Sequence, residues 1–257
     1  MIREPRILLF DIESMPDLDM VMHHLPQMSD YPGLTLKASI NSVVCFGYKI
    51  FGEAKTHCLN AWDYPGWKNS VNDDFMLLKA ISEIMVDADA VVSHNGKRFD
   101  WKFIQTRLVK HGLPPLPKII HIDTCQLAKT HLMTFNNRLQ TLAKFMTKTE
   151  KLENTGWQLW ERVIKRDKKA MELMTRYCKQ DVNVLNEVFK VLRPFATNIP
   201  NYNKSRQTEA QVCPNCGSTR LMTHGTYVRK NHVQKRFLCK DCGTSCSVRE
   251  GKDPQTL

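Results

Sequence analysis

Residues 6–14 read Arg-Ile-Leu-Leu-Phe-Asp-Ile-Glu-Ser, an apolar run that ends in two acidic side chains. The consecutive apolar residues predict a buried strand over Arg6–Ile12. Side chains two apart on a strand point to the same side, so Asp11 and Glu13 project together. Neighbouring carboxylates repel each other unless a cation lies between them, and such hard oxygen ligands suit Mg²⁺ and Mn²⁺. The stretch is therefore a candidate metal site, although a lone Asp-x-Glu pair is more often a turn or a surface pair.

Two further acidic positions occur later in the chain. One lies within His94-Asn95-Gly96-Lys97-Arg98-Phe99-Asp100, where a predicted strand passes into a predicted helix. Taken alone, Asp100 has a simple structural role there as a helix-capping residue. The other position is Asp181, which shares one helical face with Tyr177 because the two residues are four apart. By itself this pair is compatible with a solvated surface.

The order of predicted elements indicates an α/β layer built on a mixed sheet. After the first strand we expect a hairpin (42–51 and 54–59), strands at 88–93 and 118–122, and helices at 73–86, 98–111, 139–146 and 167–192. The segment Ser14–Ile40 is rich in turn residues and carries no clear element. Residues 193–211 show little apolar periodicity and are predicted to be a linker. The predicted domains are therefore 1–192 and 212–257.

Taken jointly, the acidic pieces resemble the motifs of the DEDD 3′→5′ exonucleases, the DnaQ-like proofreading domains and related nucleases. The first motif is Phe10-Asp11-Ile12-Glu13, the second runs from Asn95 to Phe99-Asp100, and the third is Tyr177-x-x-x-Asp181 in its tyrosine version. The resemblance covers residues 5–192. It implies an RNase H-like mixed sheet flanked by helices and a metal-dependent 3′→5′ exonuclease activity.

The resemblance also implies a role for each acid. Asp11 would bridge two Mg²⁺ or Mn²⁺ ions, and Glu13 and Asp181 would hold the ion that carries the nucleophile. Asp100 would hold the second ion through water, and Tyr177 would orient the attacking water. This arrangement agrees with two-metal hydrolysis of a phosphodiester.

Substrate contacts are expected around the second motif. Asn95 and Phe99 would shape the pocket for the 3′-terminal nucleotide, although Phe99 could equally belong to the core. Lys97 and Arg98 are candidate substrate-binding cations that could equally be solvated. Asp123 is interpreted as structural. Because Ser14–Ile40 does not match the family pattern and loops after the first motif commonly touch the terminal base, substrate choice stays open.

The nine cysteines fall into two groups. Cys45, Cys58, Cys125 and Cys178 lie in apolar surroundings and are predicted to be buried and reduced. The other five cluster near the C-terminus, where Cys213-Pro-Asn-Cys216-Gly and Cys239-Lys-Asp-Cys242-Gly form two knuckles. Four thiolates in this spacing predict a closed tetrahedral zinc site that stabilises a domain too small to fold alone. We interpret Cys246, His224 and His232 as bystanders.

The net charge is +11, and most of the excess lies from Arg193 onward. Between the knuckles, basic residues alternate with aromatic ones, a composition that suits phosphates and stacked bases. Arg229, Lys230, Lys235 and Arg236 are the candidate nucleic-acid contacts. The segment resembles the zinc ribbons of transposases and other DNA-handling proteins; a ribbon that docks protein is the alternative.

The leading hypothesis is a DNA exonuclease of replication, proofreading or repair that acts on single strands or frayed 3′ ends, with a replication protein or polymerase as a partner. The alternatives are an exoribonuclease, a non-catalytic nucleic-acid adaptor and a transposase-like recombinase.

The N-terminus carries no basic-then-apolar leader, and the longest apolar runs are far too short to span a bilayer. We expect no membrane association and a cytoplasmic location in a bacterial or phage-infected cell.

Overall fold

The structure, a computed structural model, describes residues 4–15, 42–149, 151–152, 156–202 and 211–249. The strands are β1 (Ile7–Ser14), β2 (Val43–Ile50), β3 (His57–Asn60), β4 (Ala90–Ser93), β5 (Ile120–Asp123), β6 (Leu221–Arg229), β7 (His232–Cys239) and β8 (Ser245–Arg249). The helices are α1 (Gly66–Asn69), α2 (Phe75–Val86), α3 (Asp100–Lys110), α4 (Thr124–His131), α5 (Leu139–Met146), α6 (Trp157–Ile164) and α7 (Lys168–Leu192). Short 3₁₀ turns follow β3 and α7.

The first five strands form one mixed sheet in the order β3-β2-β1-β4-β5. The pairs β1–β2 and β2–β3 are antiparallel, whereas β1–β4 and β4–β5 are parallel. Helices cover both faces of the sheet because β1, its central strand, carries apolar side chains on both faces. The RNase H-like mixed sheet flanked by helices is therefore confirmed.

Alternate residues of β1 enter two different hydrophobic clusters, one on each face of the sheet. Leu8 and Phe10 pack with α2, α3 and α6. Ile7 and Leu9 pack with α5 and the second half of α7. Because the side-chain period of a strand is two, the residues that follow Leu9 in the same phase project toward α7. These residues are the two acids of the first motif.

Helix α7 crosses close to the sheet where the strands end. Its N-terminus is capped by Asp167, whose side chain accepts hydrogen bonds from the amides of Lys169 and Ala170. A Cβ at Gly47 of β2 would lie 2.9 Å from Sγ and 3.0 Å from the carbonyl oxygen of Cys178. The missing side chain at Gly47 thus allows the close approach of helix and strand.

Several local features differ from the sequence-based expectations. Helices α1, α4 and α6 were not predicted, and β1 continues two residues past Ile12. Within the expected turn-rich segment Ser14–Ile40, the positions from 16 onward lie outside the described residues. Cys45, Cys125 and Cys178 are buried free thiols as predicted, whereas Cys58 is only partly buried.

The C-terminal segment forms a three-stranded antiparallel sheet in the order β6-β7-β8. Arg193 and Tyr202, which fall within the predicted linker, are both buried. The amide of Tyr202 donates a hydrogen bond to the carbonyl of Pro214, and Arg193 contacts Asn215. The division at 193–211 stays a prediction, and residues 203–210 lie outside the described part.

Candidate active site

Three carboxylates from two elements converge at the end of β1. Asp11 and Glu13 come from the strand, and Asp181 comes from α7 on the same side of the sheet. One carboxylate oxygen from each lies within 4.8 Å of the others. The structure therefore brings together three of the four acids on which the resemblance was based.

The crowding of these acids perturbs their ionisation. Burial, followed by the charges of Asp100 and Asp181, raises the pKa of Asp11 well above its ordinary value. Burial and the charge of Asp181 raise the pKa of Glu13 to about 8. Burial also raises the pKa of Asp181. Such a group favours protonation or a bound cation, because like charges in a desolvated site repel each other.

The donor set fits a divalent cation. The Oδ1 atom of Asp181 is buried and accepts no hydrogen bond from the part of the chain that the structure describes. A carboxylate oxygen without a donor in a low-dielectric site is costly unless a cation or proton satisfies it. Converging carboxylates are the ligands that Mg²⁺ and Mn²⁺ prefer.

Asp100 stands beside the three-acid group rather than within it, as far as the described residues show. It is the first residue of α3, and its Oδ1 accepts a hydrogen bond from the amide of Ile12 at 3.3 Å. Burial raises its pKa to about 6. A Cβ at Gly96 would lie 2.2 Å from Oγ of Ser93 and 3.1 Å from Oδ2 of Asp100. Only glycine fits this connection, which brings the carboxylate against β1.

Asp123 holds the backbone of the second motif in place through hydrogen bonds. Its Oδ1 accepts hydrogen bonds from the amides of Asn95 (2.9 Å) and Cys125 (3.0 Å), and its Oδ2 accepts one from the amide of Lys97 (3.3 Å). These contacts hold Asn95 at a positive φ of 61° and cap the start of α4. The structural interpretation of Asp123 is therefore borne out.

Lys151 reaches into the acidic group and was not predicted from the sequence. Its Nζ donates to Oδ2 of Asp181 at 2.6 Å and lies 5.8 Å from the ring centroid of Tyr177. Burial alone would lower the pKa of this ammonium, but the charges of Asp181 and Asp11 outweigh it and raise that pKa. Lys151 lies in a polar stretch with no periodicity, so only the tertiary fold could reveal this contact.

A cavity of about 620 Å³ opens beside the acids. Asp11 and Lys151 lie on its wall with two predicted substrate residues, Asn95 and Arg98. The sequence analysis missed two further cations on the wall, Lys129 of α4 and Arg138 before α5. Their separation along the chain gave no signal of a common surface. A cleft lined with cations next to an acidic group suits a polyanion whose reacting phosphate meets a bound metal.

The remaining predicted substrate residues of the second motif lie elsewhere. Lys97 lines a separate cavity with Trp101 and His121. Phe99 is half-buried, packs against the hydrophobic core and lies 5.7 Å from the ring of Phe103. The core role that the sequence left open for Phe99 is the one that these contacts favour.

The four knuckle cysteines form a second candidate metal centre. The sulfurs of Cys213, Cys216, Cys239 and Cys242 lie within 4.8 Å of one another. Both knuckles turn through a glycine at positive φ, Gly217 and Gly243, whose amides donate to the carbonyls of Cys213 and Cys239. Hydrogen bonds from Cys213 and Thr244 lower the pKa of the Cys242 thiol to about 4. Four sulfurs in this arrangement are compatible with a zinc ribbon. Within the described residues, Cys246, His224 and His232 are not part of this group.

The candidate basic residues of the ribbon lie on β6, β7 and the turn between them. The guanidinium of Arg236 lies 5.4 Å from the ring centroid of Tyr227. Lys230 and Lys235 are exposed. Arg229 ends β6 opposite His232.

Comparisons with known proteins agree with this architecture. A sequence model described as the RNase_H superfamily matches residues 34–193, a range that begins after β1. Among solved structures, the family B DNA polymerase of the hyperthermophilic archaeon Pyrobaculum calidifontis superimposes with a TM-score of 0.52 at 13% identity. The match covers 90% of this chain and 32% of that chain, so this chain spans about a third of the polymerase's length, and at this identity the likeness shows the fold alone.

No curated protein matches the sequence. Within the described ranges, no helix has both the length and the apolar character needed to cross a bilayer. The superfamily match extends over more than half of the chain and includes four of the five strands of the mixed sheet (β2–β5), α7 and Asp181. On these grounds the chain belongs to the RNase H superfamily.

Proposed function

We propose that the chain is a metal-dependent 3′→5′ exonuclease of the DEDD tyrosine type that acts on DNA single strands or frayed 3′ ends. The observation that carries this proposal is the convergence of Asp11, Glu13 and Asp181 within 4.8 Å, beside a cation-lined cavity to whose wall Asp11 contributes. Superfamily membership and the fold of a DNA polymerase support a nuclease. The direction of cleavage comes from the motif resemblance, which leaves DNA and RNA open. The choice of DNA comes from the resemblance of the ribbon to those of DNA-handling proteins.

The side chains around the acids have distinct proposed roles. Asp11, Glu13 and Asp181 would hold divalent cations, with Asp100 assisting from the edge of the group. When bound, such cations would activate water and stabilise the leaving oxygen. Tyr177 lies one helical turn before Asp181, so its hydroxyl can orient a water at the same point. Arg98, Lys129 and Arg138 would bind the phosphates of the strand in the cavity.

The four-cysteine group would hold one structural zinc ion, and the ribbon would bind the same polymer outside the cavity. The working context that we propose is DNA replication, proofreading or repair in the cytoplasm of a bacterial or phage-infected cell, with a polymerase or replication protein as a partner. Association with a polymerase and removal of mismatched primer ends are the outcomes that would support the proofreading version.

The test is a time course on 5′-labelled single- and double-stranded DNA and RNA with Mg²⁺, with Mn²⁺ and without either ion. We expect a ladder that shortens from the 3′ end only when metal is present. Asp11→Ala should reduce the rate by at least about a thousandfold because it removes a ligand from the reacting centre. Nucleic-acid binding by this variant should stay close to that of the unaltered chain.

Asp87→Ala is the matched control, since this exposed acid pairs with Arg6 at the other end of β1. A stronger ladder on RNA would turn the assignment toward an exoribonuclease. Binding without cleavage of any substrate would replace the enzyme by a nucleic-acid adaptor. Cleavage retained by Asp11→Ala would remove this residue from the site.

A further inference from the structure

Two large apolar side chains stand almost fully in solvent close to the acidic site. Met133 is 105% exposed and Phe135 is 99% exposed, more than any other large apolar residue in the described part of the chain. Both lie in residues 132–138, which connect α4 to α5 and which we call the rim loop. A single exposed apolar residue is ordinary, but two of them on one loop beside a candidate active site indicate a contact surface.

The rim loop is held in place by hydrogen bonds. Nε2 of His94 lies 2.8 Å from the carbonyl oxygen of Asn137, and Nδ1 of the same ring lies 2.9 Å from Oγ1 of Thr124. Within the loop, the Thr134 hydroxyl donates to Oδ1 of Asn137 at 3.1 Å. The exposure of Phe135 is therefore a property of an ordered loop that His94, next to the second motif, anchors to the sheet.

The same loop forms one wall of the active-site cavity. Asn136, Asn137 and Arg138 line the cavity together with Asp11. Phe135 thus precedes directly the residues that face the acids. The walls also carry Arg98, Lys129 and Lys151, so that a polyanion is the occupant that matches the charge of the cleft.

We propose that Phe135, with Met133 beside it, is a stacking platform for an unpaired base of the strand whose end lies at the acidic group. Nucleic acid combines the two features that this surface requires, a chain of phosphates for the cations and flat apolar bases for an aromatic ring. The platform selects strands that are unpaired near their end, because a base inside a duplex is already stacked and paired. This inference rests on the proposed nuclease function and adds to it the residue that would recognise an unpaired base.

The kinetic test uses the full chain and 5′-labelled single-stranded oligodeoxynucleotides. We expect Phe135→Ala to raise KM about tenfold with little change in kcat, as the loss of one base–aromatic stack predicts. Phe135→Trp should retain the low KM. Because the side chain is solvent-exposed, neither substitution should change Tm.

Phe145→Ala is the matched control. Phe145 is 72% exposed in the last turn of α5, about 9 Å along the helix from Leu139 at the cavity wall. We expect its KM to equal that of the unaltered chain. A KM for Phe135→Ala equal to that of Phe145→Ala would overturn the platform and leave Phe135 as a contact for some other molecule.

An abasic scan identifies the base that stacks. A single abasic site is moved along the strand, and at one position it should raise the KM of the unaltered chain about tenfold. At that position the abasic site should not raise the KM of Phe135→Ala any further. Equal abasic effects in both proteins would show that the ring does not stack on a base. If the unaltered chain cleaves nothing, the nuclease function fails; if it cleaves but the two proteins respond alike, only the platform fails.

Discussion

Lys151 lies at the point where the acidic group meets the cavity, and its contact with Asp181 has consequences for both metal and substrate. Its ammonium takes up one carboxylate oxygen that a cation would use, and it adds positive charge to the wall of the cavity where the proposed substrate would place its phosphate. We expect Lys151→Met to lower kcat about a hundredfold through lost electrostatic stabilisation. The Mg²⁺ concentration for half-maximal rate should fall, because the competing ammonium is gone.

Metal titrations of the cleavage rate measure both effects in one experiment. Lys148→Met is the control, since Lys148 is an exposed lysine in the same polar stretch. If Lys151→Met changes neither kcat nor the Mg²⁺ dependence, the contact with Asp181 is only a structural ion pair.

The raised pKa values of the acids predict how stability depends on pH without Mg²⁺ or Mn²⁺. Burial and the charge of Asp181 raise the pKa of Glu13 to about 8, and burial raises that of Asp100 to about 6, from ordinary values of about 4. Between these values the folded chain binds more protons than the unfolded chain. Its free energy of unfolding should therefore fall as pH rises from about 4 to about 8.

Thermal unfolding at pH 5 and pH 8, with and without Mg²⁺, checks this sign. Mg²⁺ should raise Tm more at pH 8, where the ligands are forced to ionise, than at pH 5. Glu13→Gln should narrow the Tm difference between the two pH values in metal-free buffer. A metal-free Tm that falls between pH 5 and pH 8 as strongly in Glu13→Gln as in the unaltered chain would contradict the assignment.

Among the elements, segments with a clear apolar pattern were predictable, including the eight-residue α5, whereas α1, α4 and α6 were not. The apolar run of β1 and the periodic face of α7 carry signals that are local in sequence, which is why these two elements could be predicted. The convergence of Asp11 with Asp181 was expected only from the motif resemblance. Helices α4 and α6 are only eight residues long and gain their stability from packing on α7 and the sheet. The contacts of Lys151 and the rim loop depend on residues far away in sequence.

Lys235 and Arg236 are adjacent basic residues that the sequence analysis did not distinguish, but they differ in their surroundings on β7. Lys235 lies opposite Val248, whereas Arg236 lies opposite Ser247 and stacks on Tyr227. Consecutive side chains on a strand point to opposite faces. Tyr227, Arg236 and Ser247 also line a cavity of about 440 Å³. Among the side chains that the structure describes in the ribbon, Arg236 and Tyr227 combine a guanidinium with an aromatic ring, an arrangement that suits phosphates and bases.

We therefore expect Arg236→Ala to weaken binding of a single strand about five- to tenfold and to reduce the salt slope of log K by about 1. Lys235→Ala should have a much smaller effect on both quantities. Fluorescence anisotropy in an Asp11→Ala background, which prevents cleavage, measures them. Equal losses in the two variants would show that the ribbon attracts nucleic acid by charge alone. No loss in either would favour a ribbon that docks protein.

The whole molecule places two kinds of metal chemistry in one chain. The acidic group offers hard carboxylate oxygens beside a cavity, while the ribbon offers four thiols in a closed group. An open site suits a cation that must contact substrate, and a closed one suits a cation that stabilises the fold. In the proposed function both parts would bind one strand, and their joint effect would then depend on how firmly they are joined.

Arg193, the residue after α7, contacts the ribbon through several hydrogen bonds. It is 6% exposed, its Nε donates to Oδ1 of Asn215 at 2.8 Å, and its guanidinium also donates to the Asn215 carbonyl. The Asn215 side chain in turn donates to the Arg193 carbonyl and to the hydroxyl of Thr244. The guanidinium stacks on the ring of Phe51 at 4.6 Å. One side chain thus connects both cysteine knuckles to the end of α7 and to the sheet.

Removing this link should uncouple the two parts without destroying either. Arg193→Ala leaves Oδ1 and the carbonyl oxygen of Asn215 without the guanidinium that donates to them, a loss of about 2–4 kcal/mol. We expect calorimetry to show the ribbon melting before the nuclease domain. Long strands should lose more affinity than short ones, because the two binding surfaces no longer act as one.

Two further variants serve as controls. Arg193→Lys should restore little of the lost stability, since an ammonium cannot reproduce the planar fork of the guanidinium. Lys190→Ala, which breaks an exposed pair with Glu187, should cost at most about 0.5 kcal/mol. A single transition at an unchanged Tm in Arg193→Ala would mean that the ribbon is held by other contacts, and the dependence of affinity on strand length would then have to arise within the cavity alone.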